Sequence, residues 1–182
     1  MSLIQKIKNY LADRQIKKVL STQKRVGVYP DFDKVKTILI LFKSDLNEKN
    51  LFVRTIMEDL KKHGKKVSAW GLIDKKDTEL PVFIDYRLIT SKELSFNGLP
   101  NDSIAGELAH TEYDMVIQLC CDDLLALDYL LAVARSPFKI SKLKPYKGIS
   151  DFMLEINEKA DEKYMLEQIL FYLNSIQPKA VR

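Results

Sequence analysis

The sequence contains few of the residues on which most catalytic and metal sites depend. It has two cysteines, two histidines and six glycines among 182 residues. Cys120 and Cys121 are adjacent, so on a strand they point to opposite faces, and a disulfide between them would be strained. His63 and His110 lie far apart, and no spacing typical of a zinc site occurs. We therefore predict no metal site and a reducing compartment.

Motifs for phosphate binding and for hydrolysis are also absent. The first predicted strand-to-helix turn, FKSDLNEKN, has no glycine, whereas phosphate-cradling turns need glycine so that the backbone can approach the ligand. No P-loop and no Gly-x-Ser-x-Gly elbow is present, and neither cysteine has a histidine partner close in sequence, so inert core thiols are expected. These absences predict no cofactor and no catalytic residue, and they argue against an enzyme.

No uninterrupted apolar run reaches the roughly 18 residues of a membrane-spanning helix. Near the N-terminus, Lys6 and Lys8 fall where a signal peptide would need an apolar core. The sequence therefore predicts a cytoplasmic location.

The positive charge is concentrated at the N-terminus. Residues 1–25 carry seven bases and one acid, a net charge of +6, while the whole chain has a net charge of +4. We predict a basic N-terminal helical arm over residues 1–25 and a single α/β domain over residues 26–182. The candidate partner-binding residues are the basic ones of this arm: Lys6, Lys8, Arg14, Lys17 and Lys18.

The apolar residues of the arm change sides along the predicted helix. Leu3, Ile4, Ile7, Tyr10 and Leu11 share one face, whereas Ala12, Ile16, Val19 and Leu20 fall on the other. This break argues against a helix lying flat on a membrane and favours one that docks on the body or on a partner. No aromatic platform or recognition helix accompanies the lysines, so nucleic acid is an unfavoured partner.

The stretch YDMVIQLCCDDLLALDYLLAVARSPFKI predicts the fold. Met115 to Cys120 is a short apolar run typical of a strand covered on both faces, and the helix predicted from Asp122 to about Arg135 is apolar around most of its circumference. With KTILILF and VSAWGLI as further central strands, the sequence predicts a three-layer, Rossmann-like open sheet of about six mostly parallel strands. We expect the strand order 3-2-1-4-5-6 and an extra N-terminal helix.

In such a sheet, ligands bind beyond the carboxyl ends of the strands, where the strand order reverses. This places a candidate ligand crevice between Lys43, Ser44 and Asp45 on one side and Asp122 and Asp123 on the other. The alternative, which we favour at this point, is that both aspartates cap the N-terminus of a helix and that Lys43 is solvated.

Two resemblances extend this interpretation. The strings SKELSFNGLPNDSIAGEL, YDMVIQL, ARSPFKI and FMLEI…EQILFYLNSI resemble a functionally uncharacterised family of short proteins from Bacteroidetes-type bacteria, which implies a Rossmann-like body. YDMVIQL, a buried helix and ARSPFKI are together similar to part of the first domain of heptosyltransferase-like glycosyltransferases. Those enzymes hold a sugar nucleotide mainly in a second such domain, for which this chain has no room.

Two functions are carried forward. The first is a non-catalytic cytosolic interaction module that uses its basic N-terminal helix to dock on a protein partner or on a further subunit. The alternative is a nucleotide-binding or sugar-nucleotide-binding domain related to half of a glycosyltransferase, with a small molecule in the crevice.

Overall fold

The computed structural model describes residues 2–23, 25–73, 86–157 and 159–175. Its centre is one sheet of six strands in the order β3-β2-β1-β4-β5-β6, and every pairing is parallel. The strands are β1 Thr37–Ser44, β2 Lys66–Ile73, β3 Arg87–Ile89, β4 Met115–Leu119, β5 Lys139–Lys142 and β6 Phe152–Leu154. The predicted fold class, strand order and central pairing are confirmed.

Five described helices accompany these strands. They are α1 Leu3–Thr22, α2 Glu48–Lys62, α3 Asp102–Ala109, α4 Leu125–Val133 and α5 Glu162–Ser175, with two short 3-10 helices at Phe32–Lys34 and Ser91–Glu93. Gly64 ends α2 as expected, because its φ of +75° lies in the left-handed region that favours glycine. No helix within the described ranges is long and apolar enough to cross a membrane.

Two predicted elements have different limits in the structure. The third strand was expected from Val82 to Ile89, but β3 begins at Arg87, and residues 82–85 lie outside the described ranges. The helix expected from Asp122 begins at Leu125 and ends at Val133. Its late start matters for function, because it removes Asp122 and Asp123 from the helix.

Two apolar layers enclose the sheet. On one face, α2 and α5 cover Ile38, Ile40 and Ile117. On the other face, α1, α3 and α4 cover a layer that includes Leu39 and Val116. The alternation along β1 and β4 therefore sends successive side chains into opposite layers, as expected of central strands buried on both sides.

The second half of α1 belongs to the second layer. Ala12 and Ile16 are fully buried, and Val19 and Leu20 pack against the same core cluster as α4. Polar contacts accompany this packing, since Gln15 Nε2 donates to the hydroxyl of Tyr129 on α4 at 3.3 Å. Residues 12–22 of the predicted arm are thus packed on the body.

Truncation of Ile16 tests this packing. We expect Ile16→Ala to lower the free energy of unfolding by about 2–4 kcal/mol, because it removes buried methyl groups and leaves a cavity. Ile7→Ala, on the exposed side of the same helix, is the matched control and should stay within about 0.5 kcal/mol of wild type. Urea denaturation of both variants makes the comparison, and equal losses would contradict the assigned orientation of α1.

Candidate functional site

The predicted crevice is closed in the structure by an ion pair. Lys43 Nζ lies 2.8 Å from Asp122 Oδ2 and joins the ends of β1 and β4 across the switch point. The bond to Asp122 raises the pKa of Lys43, and the bond to Lys43 lowers the pKa of the Asp122 carboxyl. Lys43, which we expected to be solvated, is therefore paired with one of the two predicted carboxylates.

Ser44 and Asp45 organise the start of α2 rather than the crevice. Ser44 Oγ donates to Asn50 Oδ1 at 2.9 Å, and the backbone N–H of Asn47 donates to Asp45 Oδ1 at 2.8 Å. Leu46, which follows Asp45, has a φ of 66°. Its N–H donates to Ser44 Oγ and Asn50 Oδ1, and these bonds stabilise this conformation. This loop satisfies its own polar groups, so these two side chains have structural roles.

The favoured interpretation of Asp122 and Asp123 as helix caps is wrong. Helix α4 begins at Leu125, its N-cap position is Leu124, and no side chain caps it. Asp122 instead pairs with Lys43, while Asp123 Oδ1 lies 2.8 Å from Lys142 Nζ. Lysines from the neighbouring strands thus hold both carboxylates in the loop before the helix.

An open cleft lies to one side of the predicted crevice, at the carboxyl ends of β4, β5 and β6. Its volume is about 480 Å³. Its lining residues lie at or just after the ends of these three strands and at the starts of α2 and α5. They are Lys49, Cys121, Asp122, Asp123, Lys142, Ile156, Asn157, Ala160, Asp161 and Glu162. We refer to it as the carboxyl-edge cleft.

The charges of the carboxyl-edge cleft are paired with one another. Lys49 Nζ lies 2.6 Å from Glu162 Oε1, and Lys142 Nζ donates to the carbonyl of Cys121 at 2.7 Å while it also contacts Asp123. Asp161 Oδ1 accepts the N–H of Tyr164 and so caps α5. These charged side chains therefore already have polar partners within the structure.

Sequence reasoning missed Lys49, Lys142 and Glu162. Lys142 is the last residue of β5 and Glu162 is the first of α5, so both belong to the edge at which ligands bind in this class of fold. The rule that ligands bind beyond the carboxyl ends of parallel strands would have indicated these residues if it had been applied to β5 and β6 as well as to β1 and β4.

The thiols near the cleft are poor nucleophiles. Both cysteines are free, with Cys120 buried and Cys121 partly exposed. Desolvation raises the pKa of each thiol to about 11, so both are protonated at neutral pH. Among the described residues, no three His, Cys, Asp or Glu side chains are grouped so that they could hold a metal ion.

A buried polar cluster lies between β4 and α4. Asp128 Oδ1 accepts a hydrogen bond from Gln118 Nε2 at 2.9 Å and lies 2.8 Å from Lys144 Nζ. The second contact is an ion pair without hydrogen-bond geometry at Nζ, and Gln118 Oε1 has no partner among the described residues. Since Gln118 and the Lys144 side chain are fully buried, the cluster fixes the loop after β5 on the core.

Lys139 is the one described lysine whose pKa is brought close to neutrality. It is fully buried, and its Nζ donates to the carbonyls of Leu131 and Ala132 at the end of α4, at 2.7 and 3.1 Å. Burial, together with the nearby charge of Arg25, lowers its pKa to about 7. No solvent reaches this amine, so its role is to satisfy the helix end.

The predicted partner-binding residues are spread over α1. Lys6, Arg14 and Lys18 are exposed, and Lys17 Nζ pairs with Asp13 at 2.7 Å. Lys8 Nζ lies 4.8 Å from the ring centroid of Phe96, an exposed residue of the loop before α3. The structure thus brings Phe96 beside the first half of α1, a contact that the sequence did not indicate.

Fold and site define a doubly wound α/β domain with paired lysines and carboxylates at its carboxyl edge. The chain belongs to DUF6913, a family of unknown function, whose model matches residues 8–176. This supports the resemblance to an uncharacterised family. A search of curated proteins found no match, and a search of solved structures found none either.

The pKa of Lys139 predicts a pH dependence of stability. Between its folded value of about 7 and its ordinary value of 10.5, the unfolded chain binds a proton that the folded chain lacks. The free energy of unfolding should therefore rise with pH, by at most about 1.4 kcal/mol per pH unit. Denaturant titrations from pH 7 to about 9 should show this rise.

Lys139→Met should abolish that rise, whereas Lys61→Met, on the exposed end of α2, should keep it. The titration ends near pH 9 because of the two thiols, whose pKa folding raises from 9.0 to about 11. Above pH 9 they cause the free energy of unfolding to fall as the pH rises. A rise that persists in Lys139→Met would show that another group causes it.

Proposed function

We propose that this chain is a non-catalytic cytosolic interaction module whose N-terminal helix attaches the domain to a partner or to a further subunit. The observation that carries the proposal is an apolar stripe on the solvent side of α1. Its members, here called the α1 stripe, are Leu3, Ile4, Ile7, Tyr10 and Leu11, with between 38% and 74% of each residue exposed.

The α1 stripe is a compact surface. At about 100° per residue, its five side chains lie within a sector of about 120° on the first half of the helix. It points away from the buried side formed by Ala12 and Ile16. Clustered apolar side chains of this kind are typical of interaction sites, in contrast to single exposed apolar residues, which are ordinary.

The other half of the same helix side is basic. Arg14 and Lys18 lie within about 20° of the middle of the sector that holds the α1 stripe, and both are exposed. The solvent side of α1 therefore presents an apolar first half and a cationic second half. This combination supports attachment to a surface that has an apolar region next to an acidic region.

The carboxyl-edge cleft favours a second candidate, which is nucleotide or sugar-nucleotide binding. It lies where doubly wound sheets bind ligands, and Lys49 and Lys142 reach it from two sides. The resemblance in sequence to the first domain of heptosyltransferase-like glycosyltransferases suggests a related sheet layout, although those enzymes hold the sugar nucleotide mainly in their second domain. We also propose, on the family resemblance, that the chain comes from a Bacteroidetes-type bacterium.

A thermal-shift panel of nucleotides and sugar nucleotides tests this second candidate. A ligand present at 100 times its Kd should add about 2.7 kcal/mol to the free energy of unfolding. Lys142→Ala should remove this effect, because it takes away a cation of the cleft, while Lys61→Ala should retain it. A panel without a stabiliser, or equal shifts in both variants, would count against ligand binding in the cleft.

Sedimentation of extracts from cells that express the chain naturally tests the first proposal. We expect the wild-type chain to sediment with larger particles or complexes, and Ile4→Ser/Ile7→Ser to shift to the free chain because it makes the α1 stripe polar. Leu51→Ser/Phe171→Ser is the matched control, since it changes two exposed apolar residues of α2 and α5. A wild-type chain that sediments alone would refute attachment.

A further inference from the structure

The cations around the α1 stripe have the placement found on helices that lie in a bilayer interface. On the helical projection, Lys6 and Lys8 each lie about 100° from the middle of the apolar sector, on opposite sides. Lysines at these positions can extend their stems along the apolar boundary and keep their ammonium groups in the head-group region. The stripe between them consists of four aliphatic side chains and Tyr10.

Carboxylates do not compensate the charge of this face. Asp13 is the one acid within residues 2–23, its side chain is 34% exposed, and it pairs with Lys17. It also accepts a hydrogen bond from Tyr146 on the body. Burial of that phenol, and secondly this hydrogen bond, raise its pKa. Arg14 and Lys18 are therefore available to an anionic surface in the same plane as the stripe.

The size of the apolar patch favours a lipid surface over a protein interface. Stable protein–protein interfaces bury about 800 Å² and roughly 20 to 30 residues on each side. The α1 stripe and Phe96, together with the cations Lys6, Lys8, Arg14 and Lys18, comprise ten residues. Interfacial helices need no such area, because cationic side chains add their attraction to anionic lipid, and clusters of roughly four to eight Lys or Arg on an amphipathic helix are typical of this binding.

In the sequence, the apolar residues change sides near residues 13–15, which disfavours a helix lying flat on a membrane. The residues concerned are those on the second of these sides. In the structure these residues, Ala12 and Ile16 with Val19 and Leu20, contact the core shared with α4. They therefore say nothing about the side that faces solvent. The side that faces solvent is apolar along the α1 stripe and then basic at Arg14 and Lys18.

We infer that α1 binds the surface of an anionic phospholipid bilayer, with the α1 stripe at the boundary between head groups and acyl chains and with Arg14 and Lys18 on the lipid phosphates. The inference rests on the proposed attachment function and names its partner. Phe96, an exposed residue beside Lys8, adds an apolar ring at the edge of this face, and Phe is among the residues found on the apolar side of interfacial helices.

Co-sedimentation of the purified full chain with vesicles tests the inference. We expect binding to vesicles of about 30% phosphatidylglycerol in phosphatidylcholine, and at least tenfold weaker binding to phosphatidylcholine alone, because each lysine near an anionic surface contributes about fivefold. Salt at about 0.5 M should weaken the binding by screening. Ile4→Ser/Ile7→Ser and Arg14→Gln/Lys18→Gln should each lower the partition coefficient at least tenfold.

Lys61→Gln/Lys66→Gln is the matched control, since it removes two exposed lysines from another part of the surface. It should bind the anionic vesicles within about twofold of wild type; an equal loss would show that net charge alone is responsible and would overturn the inference. A chain that does not bind the vesicles but still sediments in complexes in the extract refutes the lipid inference and leaves attachment standing. Failure in both experiments refutes both.

Discussion

Burial of Ala12 and Ile16 determines which side of α1 faces solvent, and the functional interpretation follows from that contact. A helix of 20 residues is fixed to the body by its second half. Residues 3–11 extend the same helix with no apolar residue buried. The Ser2 side chain accepts the N–H of Gln5 at its start, which stabilises this half as helix although little of it is packed. The α1 stripe is thus presented on a capped helix that packs on the body through its later residues.

Charged groups of the body, by contrast, already have polar partners. Lys139 satisfies the carbonyl end of α4, Lys144 pairs with Asp128, and Lys43 and Lys142 hold the loop between β4 and α4. Removing one member of a buried pair leaves an uncompensated charge, which is why such groups are kept together. The carboxyl-edge cleft therefore consists of charged groups that already have partners, whereas Arg14 and Lys18 on α1 face solvent.

The fold could be predicted from the sequence because its signals are local. Runs such as Ile38 to Phe42 and Met115 to Leu119 are apolar on both faces, and this requires helices on both sides of a parallel sheet. The site was harder to predict, because its contacts are remote in sequence. Asp122 and Asp123 resemble helix caps among their neighbours, and only the sheet brings Lys43 and Lys142 close enough to hold them before α4. The contact between Lys8 and Phe96 likewise spans two distant elements.

Hydrogen–deuterium exchange of the full chain, with and without anionic vesicles, tests the central claim most directly, because it reports on the two halves of α1 separately. The account predicts that amides of residues 13–20 are strongly protected in the free chain and that those of residues 6–11 exchange faster. Vesicles should slow the exchange of residues 6–11 and leave the body unchanged. Equal protection of both halves in the free chain, or no change in residues 6–11 with vesicles, would contradict it.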